Sequence, residues 1–95
     1  MESIRIERDI TIVNKQGLHA RPAAQFVRAA AGFPDCEVTV SRDGMSVNGK
    51  SIMGMMMLAA GPGTTLKIVT EGEGAEELSS QLTDLVNGGF GEEIG

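Results

Sequence analysis

The chain has a single histidine, His19, inside the run NKQGLHARPAAQF from Asn14 to Phe26, with Gly17 just before it and Arg21 just after. An imidazole titrates near neutrality and offers two distinct ring nitrogens, so it can serve as nucleophile, ligand or helix cap. A metal ion normally takes three or four ligands. With no second His, one Cys and no carboxylate near His19 in sequence, neither a metal nor a cofactor is expected. A Ser-His-Asp relay lacks a plausible buried acid. Phosphorus is a better target: histidine attacking a phosphoryl group is a recognised form of nucleophilic catalysis. The forked guanidinium of Arg21 is suited to the oxygens of such a group.

That chemistry needs a scaffold, and the spacing of apolar residues predicts one. Ile4, Ile6, Ile10 and Ile12 alternate with polar residues, the period of two of a strand with one wet face. Past Gly17 the apolar positions become Ala23, Phe26, Val27 and Ala30, the spacing of an amphipathic helix ending at Gly32. Pro22 is tolerated only in the first turn of that helix, which must therefore begin close to His19. The ring would then sit among unpaired N–H groups at the positive end of a helix dipole, a natural anion site. These residues alone leave His19 open between a phosphoryl site and an ordinary cap.

Cys36, Val38 and Val40 alternate with Glu37, Thr39 and Ser41, and RDG offers a turn into Met45 and Val47, so this stretch reads as a hairpin. Ser51 precedes IMGMMMLAA, where a Ser cap and Met-Ala content favour a short helix ended by GPG. TTLKIVT is a fourth strand. Ala75, Leu78, Leu82, Leu85 and Val86 describe a last helix closed by Gly88 and Gly89. The predicted fold is α+β, with three helices on one face of a four-stranded antiparallel sheet in the order βαββαβα. Ninety-five residues, 41% of them hydrophobic, suffice for one modest core, so residues 1–95 are expected to form a single domain.

Charge narrows the partners. The net charge of −5 argues against nucleic acid and an anionic membrane surface. Acids are absent between Ile10 and Pro34, where Lys15, Arg21 and Arg28 stand, whereas seven acids and no base follow from Glu71 onward. A mildly positive face around His19 and Lys50 is therefore expected on an acidic body, suited to an acidic partner or a phosphoryl group. Cys36 cannot close an internal disulfide, and neither a leader nor a long apolar run is evident, so a reducing cytoplasm is expected. The protein is also expected to be a monomer. In the helix after Ser51, a core stripe through Met55 and Leu58 leaves Ile52, Met53 and Met56 pointing outward as a docking patch of flexible side chains.

GLHARPAAQFV, taken with VNGKSIMG and the terminal GGFGEE, resembles the HPr family of phosphocarrier proteins, nitrogen-branch members included, over nearly the whole chain. The resemblance implies a carrier rather than an enzyme in the phosphoenolpyruvate-dependent phosphotransferase system, in sugar uptake or nitrogen-related regulation. His19 would accept a phosphoryl group on Nδ1 from phosphorylated enzyme I and pass it to enzyme IIA-type acceptors, with Ala20 and Arg21 holding its oxygens. Docking would use Ala20 and Arg28 of the first helix together with Ile52, Met53 and Met56. The resemblance also implies phosphorylation of Ser51 by an HPr kinase/phosphorylase, although a helix N-cap by itself explains a serine there. A different class of function, a non-phosphorylated α+β module that binds a regulator or ligand, shares the same element order.

Overall fold

The alternation at the N-terminus folds as strand β1, Arg5–Thr11. The computed structural model describes residues 4–95. It continues through α1 (Ala20–Ala31), β2 (Cys36–Arg42), β3 (Met45–Asn48), α2 (Ile52–Met57), β4 (Thr65–Gly72) and α3 (Ala75–Asn87), then a single 3-10 turn at Gly89–Gly91. The strands lie in the order β1-β4-β2-β3 with every neighbouring pair antiparallel. Period-two patterning decides which face is covered. Cys36, Val38 and Val40 of β2 and Leu66, Ile68 and Thr70 of β4 are buried, while Glu37, Thr39, Thr65 and Lys67 between them face water.

Helix α1 lays Ala23, Phe26 and Ala30 on the covered face, and α3 adds Ala75, Leu78, Leu82 and Val86. Phe26 is fully buried, worth roughly 1.5–3 kcal/mol. The polar Thr70 is tolerated in this core because its hydroxyl donates to the Ala75 carbonyl at 2.8 Å. Cys36 lies buried and free as a small hydrophobe. Among the described residues no helix is long and apolar enough to cross a membrane.

The hairpin expected at RDG forms with Arg42 opposite Met45, and Asp43 and Gly44 both take positive φ (48° and 84°). This is the two-residue turn whose twist matches that of the flanking strands. Helix α2 ends earlier than expected. It stops at Met57 rather than at GPG, because Ala59 turns left-handed (φ 49°) and Arg42 donates from Nη1 to the Leu58 and Ala59 carbonyls at 2.7 and 2.9 Å. A guanidinium from the hairpin thus takes up carbonyls that a longer helix would have satisfied internally.

Candidate functional site

Asn14 and Gly17 shape the turn that presents His19. Asn14 is fully buried, and its Nδ2 donates to the Gly17 carbonyl at 2.7 Å. Gly17 has φ +69°, and a Cβ on it would stand 2.5 Å from the Ala60 oxygen. No residue with a side chain fits comfortably there. Leu18 then donates its N–H to the same Ala60 carbonyl at 2.8 Å, tying the turn to the segment that follows α2. His19 is the N-cap of α1 in an extended conformation, with no capping bond from its side chain. Pro22 brings no N–H to the first turn, so Ala20 and Arg21 carry the free donors of the helix start. No acidic residue stands in that turn.

The chain's far end completes the site. Glu92 brings both carboxylate oxygens to 3.0 Å from His19 Nε2, and Oε1 also accepts from Asn14 Nδ2 at 3.1 Å. An ionised carboxylate can only accept, so Nε2 carries the proton and donates it toward both oxygens. The ring remains 38% exposed beside a carboxylate that is only 15% exposed. The hydrogen bond from His19 holds the Glu92 carboxyl below its usual range against the opposing effect of burial, with smaller help from Asn14 and from the charges of His19 and Arg21. Lys15, Gln16, Arg21, Gly91 and Glu93 join His19 and Glu92 around an open cleft. His19 and Arg21, from the start of α1, thus border one solvent-open cleft with Glu92 from the far end of the chain.

Two sequence expectations need correction. The acid that looked missing is Glu92, brought to His19 from 73 residues away by the fold. The basic residues expected around His19 and Lys50 are spread along α1 and do not cluster at the histidine. The Lys50 ammonium donates to the Phe33 carbonyl at 2.8 Å, past the C-terminal end of α1, while His19 caps the other end of that twelve-residue helix, about 18 Å of helix away. Among the described residues no group of three His, Cys, Asp or Glu is placed to hold a metal ion.

The patch on α2 is as the periodicity predicts. Met55 is buried with Leu58, while Ile52, Met53 and Met56 are exposed, Met53 by 73%. Periodicity missed Met57, also exposed, because it lies in the last turn of a helix shorter than the apolar run. Helix α2 packs against α1, where Ala20 and Arg28 are exposed. Ser51 is the N-cap of α2, and its Oγ accepts from the Gly54 N–H at 3.0 Å.

A family model described as "PTS HPr component phosphorylation site" matches residues 6–88. The chain belongs to the HPr family. As an HPr it is a phosphocarrier of the phosphotransferase system. It is 54% identical over 85 residues to the phosphocarrier protein HPr of Pseudomonas aeruginosa, covering 88% of this chain and 93% of that one. The fold is similar to that of an HPr from Thermoanaerobacter tengcongensis, with TM-score 0.87 and 46% identity over 93% of this chain and 98% of that one. It is likewise similar to the HPr of Bacillus anthracis, with TM-score 0.81 and 43% identity over 86% and 96% of the two chains.

Proposed function

We propose that this HPr carries its phosphoryl group on Nδ1 of His19, taken from phosphorylated enzyme I and passed to enzyme IIA-type acceptors. One observation carries the assignment: Glu92 occupies Nε2 and leaves Nδ1 as the nitrogen with a lone pair, in an open cleft at the start of α1. Arg21 and the N–H groups of Ala20 and Arg21 steady the phosphoryl oxygens. Helix-end interactions of this kind are worth roughly 0.3–2 kcal/mol, enough to orient a phosphoryl group without trapping it. That range suits a carrier, not an enzyme, which leaves the donor and acceptor to supply the rest of the transfer machinery.

In this reading residues 1–95 act as one domain, monomeric and cytoplasmic, serving sugar uptake or nitrogen-related regulation. Ile52, Met53 and Met56, with Ala20 and Arg28 of α1, form the docking surface, whose exposed apolar side chains support it. Ser51 is the regulatory phosphorylation site of an HPr kinase/phosphorylase. Incubation with phosphoenolpyruvate and enzyme I tests the central claim, because one phosphoryl group adds about 80 Da of acid-labile mass. That mass should appear on the wild type and not on His19→Ala. An unchanged wild-type mass beside a working enzyme I would refute the acceptor role.

A further inference from the structure

The segment that carries Glu92 is fastened on both sides. Before it, the Glu92 N–H donates to the Gly89 carbonyl at 2.9 Å. After it, Lys15 donates its N–H to the Glu93 carbonyl at 2.7 Å, Asn14 and Ile94 form an antiparallel bridge, and the Gly95 N–H donates to the Val13 carbonyl at 2.9 Å. None of these ties uses the Glu92 side chain, so the carboxylate is delivered to His19 by the backbone and clamped there by Asn14. Two-point support of this kind fixes the orientation and the tautomer of an imidazole. The other charged groups lining the cleft are Arg21 from α1, Lys15 from the preceding turn and Glu93 from the tail.

We infer that Glu92 is a positioning residue for phosphoryl transfer, keeping the proton on Nε2 of His19 both before and after Nδ1 is phosphorylated. The inference rests on His19 being the acceptor. In the forward step the Nδ1 lone pair bonds to phosphorus as the bond from phosphorus to the donor breaks, and that electron pair leaves with the donor atom of phosphorylated enzyme I. The ring becomes a phosphorylated imidazolium whose positive charge faces the Glu92 carboxylate. In the onward step the acceptor's nucleophile bonds to phosphorus, and the electrons of the Nδ1–P bond return to Nδ1. Because the Nε2 proton stays in place, the ring leaves as neutral imidazole. A ring that had lost it would have to leave as the far more basic imidazolide. Glu92 therefore selects the nitrogen that is phosphorylated and keeps the phosphoryl group transferable.

The test compares wild type, Glu92→Gln and Glu92→Asp by nitrogen-15 NMR of the ring and by transfer kinetics, with phosphoenolpyruvate and enzyme I as donor system, across a pH series. Glu92→Gln should lower the share of the Nε2–H tautomer and slow transfer about tenfold, the low end of what losing such a supporting partner costs. Its rate should also begin to fall at lower pH than in the wild type, because a neutral amide holds the proton less firmly. Glu92→Asp, which restores the charge, should recover part of both. A Gln variant with unchanged tautomer share and pH profile overturns the inference alone. A wild type that takes up no phosphoryl group overturns the acceptor reading and this role with it.

Discussion

Gly17 passes so close beneath Ala60 that a Cβ on it would stand 2.5 Å from the carbonyl oxygen, the same oxygen that receives the Leu18 N–H. The turn before His19 and the segment after α2 are thus fitted to each other through a missing side chain. Gly17→Ala should lose about 1–3 kcal/mol, from left-handed strain and from displacement of this contact. Phosphoryl acceptance should fall as well. Urea denaturation and phosphorylation rates measured together would check this, and a fully stable, fully active variant would mean that the turn tolerates a methyl group.

His19→Ala should abolish acceptance and keep the fold, since the imidazole makes no capping bond to α1, at the stability cost of leaving the Glu92 carboxylate without its donor. Arg21→Ala should slow transfer without abolishing it. Acid-labile mass and thermal midpoints separate the two effects, and labile phosphate on His19→Ala would require another acceptor.

Met53 is 73% exposed, so Met53→Glu should change stability by less than about 0.5 kcal/mol. Its effect on enzyme I binding should be on the order of 2 kcal/mol if it lies at the centre of the interface. Calorimetric titration beside a melting curve decides. A large loss of stability with unchanged affinity would assign Met53 a core role.

Ser51 Oγ accepts from Gly54, so Ser51→Ala should lose about 1 kcal/mol, whereas Ser51→Asp keeps an acceptor beside the positive helix end and should hold stability. The added charge lies next to Ile52 and Met53 and should repel an acidic partner. Transfer from enzyme I should slow, more at low salt than at high salt, because ions screen the repulsion. Equal rates for Ser51→Asp and wild type at low salt would leave Ser51 a cap and nothing more.

The Glu92 carboxyl is held below its usual range, chiefly by the bond from His19. A group with a depressed folded value favours the folded state above its unfolded value, and that contribution is lost as pH falls through the folded one. The stability gap between wild type and Glu92→Gln should therefore be present above about pH 4.3, where an ordinary glutamate titrates, and close in more acidic solution. Denaturant midpoints over a pH series measure it, and a gap that widens in acid would contradict the assigned direction.

Much of this site is written locally and could be read from the sequence. Gly17, His19, Arg21 and Pro22 lie within six residues, and the rules for helix starts place them without tertiary information. Ser51 as a cap, the Asp43–Gly44 turn and the outward face of α2 are legible for the same reason. Glu92 was not, because its contact with His19 depends on where α3 ends and on backbone ties to Val13 and Lys15, which leave no periodic trace. The end of α2 was misplaced because Arg42, from another element, supplies the termination. Lys50 misled because the distribution of charge along a sequence does not show which carbonyl an ammonium will find.

The strand order carries a consequence for how the molecule is assembled. Strand β4 fills the gap between β1 and β2, so β1 has no hydrogen-bonded neighbour until residues Thr65–Gly72 are available. A ribosome that has released only the first sixty residues has released β1, α1, the β2–β3 hairpin and α2, yet no continuous sheet for the helices to cover. The single sequence-local pairing is that hairpin, and every other pairing in the sheet waits for β4. These long-range pairs carry a loop-closure cost that must be met before the core they support can form. A nascent chain therefore exposes the histidine well before it can offer donors and acceptors a finished surface.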